Sequence, residues 1–165
     1  MGEPEAFDAL IERWSHPLWL YIRRMAGSHD EAQDLLQEVW LRAIRGVARL
    51  RDASRFRGWI FGIARRTLMD RWRREYAEPP AEDIDVAELA AQEDPARNET
   101  DLASMEAALE TLPTVERDVL TLFYLNDLTL AELAEALKVP VGTVKSRLFR
   151  ARGMLRAAMQ ERQSS

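Results

Sequence analysis

Apolar residues recur through the first third of the chain at spacings of three and four. Between Phe7 and Met25 they fall at Leu10, Ile11, Trp14, Leu18 and Ile22, which predicts an amphipathic helix kinked or broken at Pro17. Ser28-His29-Asp30-Glu31 has the form of a capping box, in which a hydroxyl accepts from a first-turn N–H and the later carboxylate reaches back. It opens a second predicted helix, with Ala32, Leu35, Leu36, Val39 and Ala43 on one stripe, that runs to about Ile44 and stops at Gly46. An arginine-rich loop from Val47 to Arg55 leads into a third helix, from about Phe56 to Arg74. No segment keeps a period of two long enough to predict a strand.

The pattern breaks at Glu78-Pro79-Pro80 and stays acidic and rich in small residues to about Thr100, so 77–104 reads as a flexible linker. Beyond it, Met105 to Leu112 makes a short helix closed by Pro113. Thr114 starts another that carries Val115, Val119, Leu122 and Phe123. Thr129-Leu130-Ala131-Glu132 is a second capping box, opening a helix from Leu130 to Leu137. After the turn Lys138-Val139-Pro140, a last helix runs from Val141 to about Met159, and two short helices joined by so tight a turn are a helix-turn-helix unit. All five Trp precede the linker, so each flank is expected to build its own core. The expected fold is all-α: two small helical domains, 1–76 and 105–165, joined by the acidic linker.

Charge sharpens this picture, because the net value of −5 for the 165 residues conceals segregation along the chain. Residues 1–76 hold 14 Arg and 11 acids, 77–104 one Arg and nine acids, and 105–165 eight of each sign. Arg42 to Arg74 alone carries 11 Arg against Asp52 and Asp70. Of the 23 basic residues 21 are Arg, which suits bidentate contacts to phosphate or guanine and fits a base-composition bias of the genome equally well. Absence of cysteine excludes disulfides, thiolate metal sites and a cysteine nucleophile. The longest stretch without Asp, Glu, Lys or Arg, Trp14 to Ile22, is far short of a membrane span, and the acidic N-terminus is unlike a secretory leader, so a cytoplasmic chain is expected. His16 and His29 read as structural. With no phosphate loop, metal spacing or nucleophile motif, no enzyme, cofactor or metal is expected.

Three faces could carry function. On the last helix Val144, Leu148, Ala151 and Leu155 must pack inward, which leaves Thr143, Ser146, Arg147 and Arg150 outward and Lys145, Phe149 and Arg152 on the flank, a set suited to the major groove. On the third helix a broad apolar arc (Trp59, Ile60, Phe61, Ile63, Ala64, Leu68, Trp72) leaves a narrow strip of Gly58, Gly62, Arg65, Arg66, Met69 and Arg73. Two glycines four apart there let a backbone approach while guanidinium groups reach phosphates. In the preceding loop Arg49, Arg51, Arg55 and Arg57 surround Phe56, the mixture that unpaired bases require, although core aromatics and solvated arginines fit the pattern as well. The second helix presents Asp34, Gln37 and Glu38 beside Leu41, an acidic face suited to a basic protein partner or simply to water.

Ser28 to Trp40, Gly58 to Arg65 continuing through Asp70 to Arg74, and Pro140 to Arg152, in that order, resemble the extracytoplasmic-function sigma factors of bacterial RNA polymerase. The resemblance spans nearly the whole chain. It implies that Asp34, Gln37, Glu38 and Leu41 dock on the clamp helices of the large catalytic subunit, and that Arg49, Arg51, Arg55, Phe56, Arg57, Gly58, Gly62, Arg65, Arg66 and Arg73 meet the minus-ten element. It implies further that the second domain binds the flap of the other large subunit and reads minus-thirty-five through Thr143, Lys145, Ser146, Arg147, Phe149, Arg150 and Arg152. An anti-sigma factor is an expected partner. Two positions depart from the family pattern: Arg66 stands where Asn is usual, and Lys138 where Gly is usual, a place that tends to need positive φ. The rival readings are a stand-alone helix-turn-helix regulator on duplex DNA, usually a dimer, and a helical adaptor.

Overall fold

A computed structural model of the chain describes residues 4–76 and 102–164, whose regular elements are all helical, with no strand among them. The first half is a three-helix bundle: α1 (Pro4–Met25), α2 (His29–Gly46) and α3 (Phe56–Glu75). The second half consists of α4 (Leu102–Leu109), α5 (Thr114–Leu120) extended by a π-helical turn (Thr121–Leu125), α6 (Leu130–Leu137) and α7 (Val141–Gln163). Helix α4 begins three residues before the expected boundary. Residues 77–101 of the expected linker lie outside the described residues.

Helix α1 runs on through Pro17, so the expected break does not occur there. Proline forfeits one backbone hydrogen bond, but Leu18, Tyr21 and Ile22 immediately beyond it are fully buried, so packing carries the helix across. The cap of α2 is a variant of the expected box: Ser28 Oγ accepts from the Glu31 N–H at 3.2 Å, while the Glu31 carboxylate accepts from the Gly27 N–H at 3.0 Å rather than from Ser28. The Thr129–Glu132 box on α6 is complete. At its far end Lys138 adopts φ 55°, ψ 42°, the left-handed conformation that the glycine-like position called for, at a cost of about 1 kcal/mol for a residue with a Cβ.

The predicted inward stripe of α7 is buried, Val144 and Ala151 completely. The expectation of two separate cores is corrected. Buried side chains of both halves form one continuous cluster, from Leu18, Tyr21 and Phe61 to Leu120, Leu133 and Leu148. Its seam is the pairing of α3 with α6, the most extensive helix contact among the described residues. Five tryptophans in the first half therefore did not mark an isolated core, because the second half buries its leucines against the same helix.

Candidate nucleic-acid and polymerase interface

Helix α3 has no polar face of the usual width, since Gly58, Gly62, Arg65, Thr67 and Met69 are buried along with Ile60, Phe61, Ile63, Ala64 and Leu68 of its apolar arc. The reason is α6. A Cβ added at Gly58 would sit 2.9 Å from the Glu132 carbonyl oxygen and 3.1 Å from Glu132 Cα; one at Gly62 would sit 3.2 Å from Ala136 Cα. The two glycines do admit a backbone, as their spacing indicated, and in this conformation it is the backbone of α6.

Carboxylates of the second half meet the arginines of the first all along this seam. Deepest is Arg65, whose Nε donates to Asp118 Oδ2 at 2.7 Å, with both side chains over nine-tenths buried. Tyr21 Oη donates to the other oxygen, Oδ1, at 2.6 Å. Burial first, and then the Asp118 carboxylate, push the Tyr21 phenol well above its usual range. Nearer solvent, Arg55 bonds to Glu135, and Arg57 lies 3.6 Å from Glu132 while donating to the Asn126 carbonyl. Glu135 also accepts from Lys138 at 2.8 Å, and the hydrogen bonds from Lys138 and Arg55 hold its carboxyl below the usual range. At the other end, Arg24 donates to Glu106 at 2.7 Å. Arg66 lies half-buried beside this seam; burial lowers its pKa, and its Nη1 makes no hydrogen bond.

Several of the residues expected to meet nucleic acid are engaged within the chain in this conformation. Phe56 is a core ring, packed at a tilt against Trp14 and Trp59, because it starts α3 on the inward side. Gly58, Gly62 and Arg65 are covered by α6. Arg49 and Arg51 are exposed, as is Arg73, which lies 3.4 Å from Asp70. A cleft of about 490 Å³ opens beside Arg51, Ser54 and Arg57 and is floored by Leu10, Trp14 and Phe56, with the Arg57 guanidinium 5.9 Å from the Trp14 ring. Trp14, absent from the sequence-based set, was read there only as a core position.

On α7, Lys145 is exposed and Thr143, Arg147 and Phe149 are half-buried; Ser146 Oγ donates to the Gly142 carbonyl at 3.2 Å. Arg150 keeps 49% exposure while its Nε sits 3.2 Å from the buried Glu116. Arg152, on the flank as expected, packs its guanidinium over Phe123 and Tyr124, and its Nε donates to Tyr124 Oη at 2.7 Å, so it anchors α7 to the α5 extension. Helix α5 therefore supplies two buried carboxylates, Glu116 to the recognition helix and Asp118 to α3.

The acidic face of α2 is different in kind. Asp34, Gln37 and Leu41 are exposed, Glu38 is bonded to Arg42 at 2.5 Å, and Ile44 extends the stripe at 52% exposure. Leu41 and Ile44 belong to only four large hydrophobic side chains left exposed among the described residues. Ile44 was missed in the sequence because it lay at the assumed end of the helix.

Comparison with known proteins agrees in both halves. The description "Sigma-70 region 2" matches residues 10–78 and "Sigma-70, region 4" matches residues 102–155. The RNA polymerase sigma-H factor of Pseudomonas aeruginosa is 32% identical over 171 residues, covering 96% of this chain and 89% of that protein. The chain belongs to the extracytoplasmic-function sigma factors of RNA polymerase. The sigma-E factor of Escherichia coli K12 is 31% identical over 163 residues, covering 92% of this chain and 85% of its own. In fold, the sigma factor superposes on the Bartonella quintana sigma factor RpoE, solved with the anti-sigma factor NepR, with a TM-score of 0.72 and 23% identity over 94% of this chain and 98% of that one. It superposes on CnrH, solved with the cytosolic domain of CnrY, with a TM-score of 0.69 and 24% identity over 97% and 91%. Its role is transcription initiation, which sets aside the stand-alone regulator and the adaptor. No helix among the described residues is long and apolar enough to cross a membrane.

Proposed function

We propose that this sigma factor, without catalysis of its own, directs core RNA polymerase to promoters in the cytoplasm through three surfaces divided between residues 1–76 and 105–165. The observation that carries the reading is the contrast between α2 and α3. The stripe Asp34, Gln37, Leu41 and Ile44 stands in solvent with apolar side chains among polar ones, the composition of a protein-docking patch, whereas the arginines of α3 face carboxylates. Docking on the clamp helices of the large catalytic subunit uses the α2 stripe.

Arg49, Arg51, Arg55, Arg57 and the cleft over Trp14 and Phe56 suit the minus-ten strand, where a base stacks on an aromatic floor and guanidinium groups hold phosphates. Arg65, Arg66 and Arg73 continue that surface along α3. Thr143, Lys145, Ser146, Arg147 and Arg150, with Phe149 beside them, read minus-thirty-five, while Arg152 acts by anchoring the helix that carries them. The second half also meets the flap of the other large subunit. An anti-sigma factor is a further partner, supported by the similar fold of Bartonella quintana RpoE, solved with the anti-sigma factor NepR. Transcription from genomic fragments by purified core polymerase, with and without the chain, tests this: new start sites that depend on the chain and vanish with Arg150→Ala are expected, and unchanged start sites overturn it.

A further inference from the structure

Recognition by arginine depends on angle as much as on charge. A guanidinium reads a guanine, or grips a phosphate, through two parallel N–H bonds in one plane, and a long side chain that turns freely gives up part of that energy in being fixed. On α7 the arginines differ in how they are held. Arg152 is committed to Phe123 and Tyr124 and Arg147 is half-buried, whereas Arg150 is at once tethered and exposed. Its Nε lies 3.2 Å from Glu116 Oε1, yet its side chain keeps 49% of its surface in solvent.

Glu116 belongs to a different element, the first turn of α5, which packs against α7. Val119, Leu120 and Leu122, all but fully buried, lock α5 and its extension into the core, so the backbone that carries Glu116 is rigid. The carboxylate is itself buried, which is costly unless a cation meets it, and Arg150 supplies that charge. We propose that Glu116 is a positioning residue for promoter reading. It holds the guanidinium plane of Arg150 before DNA arrives, and so sets which base pair of the minus-thirty-five element the recognition helix favours, acting through Arg150 rather than by contact with DNA. The proposal rests on the minus-thirty-five assignment of Arg150. Fixing a long side chain in advance is worth about 3- to 10-fold in affinity for the sequence it fits. Glu116 also places a negative charge behind a DNA-facing surface, so neutralising it should leave sequence-independent attraction to phosphates unchanged or stronger. Loss of Glu116 should therefore lower selectivity while sparing general affinity, whereas a merely structural carboxylate would weaken both.

The test uses the full chain assembled with core polymerase. A promoter library randomised at the minus-thirty-five element supplies the sequence that the wild-type factor prefers. Initiation from it and from each of its single-base variants is then compared for wild type, Glu116→Gln, Arg150→Ala and the double variant. Ratios between promoters within one variant do not depend on how much of that variant is folded. Glu116→Gln keeps the shape and removes the charge. It is expected to flatten discrimination about 3- to 10-fold, at the base pair where Arg150→Ala flattens it, with initiation from the least favoured promoter held or raised. The double variant is expected to match Arg150→Ala, since Glu116 acts only through that side chain. Glu116→Asp, which keeps the charge and withdraws the carboxylate by one methylene, is expected to lose discrimination at the same base pair.

Wild-type discrimination in Glu116→Gln and Glu116→Asp overturns the proposal. So does a loss that multiplies with that of Arg150→Ala, or one that falls equally on every base pair. If Arg150→Ala still changes the ranking of promoters, those results remove only the positioning role and leave Arg150 as a reader of the element. An unchanged ranking in Arg150→Ala removes the minus-thirty-five assignment of Arg150 and the proposal with it.

Discussion

Replacing Gly58 by Ala should part the two halves of the molecule while strengthening the helix that carries it. The added methyl would lie 2.9 Å from the Glu132 carbonyl oxygen, 3.1 Å from Glu132 Cα and 3.1 Å from Glu135 Cβ. Two of these atoms are backbone, so no rotamer change relieves the clash, and α6 must move by several tenths of an ångström. Overpacking of this kind costs ~1–3 kcal/mol. Within α3, alanine is favoured over glycine by ~0.5–1 kcal/mol, but that gain accrues to the open and closed forms alike. The open-to-closed ratio should therefore rise by the full steric cost, about 5- to 150-fold. At Gly62 the nearest atoms are at 3.2–3.4 Å, so Gly62→Ala should do the same to a smaller degree. Gly142 and Gly153 on α7 have nothing within 4 Å and serve as controls in which only the helix gain appears. Small-angle scattering and thermal unfolding read the outcome. Gly58→Ala should expand the chain and split or broaden its melting transition, with Gly62→Ala intermediate. A Gly58→Ala protein as compact as wild type and melting higher would refute the reasoning.

Asp118→Ala, which would remove the buried carboxylate that Arg65 Nε bonds at a cost of ~3–5 kcal/mol if the halves stayed closed, should open the chain, whereas Arg65→Met with Asp118→Leu should restore compactness; scattering on both separates a charge effect from lost packing. The Tyr21 phenol, raised by burial and by Asp118, should stay protonated above the ordinary value of about 10. Because only the unfolded state ionises there, its contribution to stability is complete below pH 10 and falls as pH rises through the higher folded value; denaturant titrations of wild type and Tyr21→Phe across that range should differ in slope. Leu41→Ala with Ile44→Ala, both half-exposed, should leave the melting temperature within error yet weaken capture of core polymerase about ten-fold or more. Leu148→Ala, in the fully packed stripe of α7, should cost ~2–5 kcal/mol of stability, while Lys145→Ala on the exposed face should cost almost none.

Local chemistry was readable where the signal and its partner lie close in sequence. The Thr129 cap and the α7 stripe each depend on neighbours within a few turns, and the residues alone specify them, whereas the left-handed Lys138 was expected only from the family pattern. Pro17 misled because its local cost is overridden by the burial of Leu18, Tyr21 and Ile22 against distant helices. Glycines four apart announce that a backbone comes near; nothing in the spacing tells a nucleic-acid backbone from that of α6, about 75 residues away. Arg152 resembled its neighbours on the recognition helix, and only the folded chain brings Phe123 and Tyr124 under it. Asp118 could not be singled out at all: one carboxylate on a short helix acquires meaning only when Arg65 and Tyr21 reach it from the other half. The exposure of Asp34, Gln37 and Leu41 on α2 was legible because an exposed face needs no partner within the chain.

The central claim is that the arginines paired with carboxylates in the closed chain act on promoter DNA once polymerase is bound. Single-round transcription by holoenzyme assembled with Arg55→Ala/Arg57→Ala tests it most directly, with assembly checked on the same sample. The account predicts normal assembly and a loss of initiation of about ten-fold or more, since two phosphate or base contacts at ~1–3 kcal/mol each are removed. Initiation at the wild-type rate from the same start sites would contradict it.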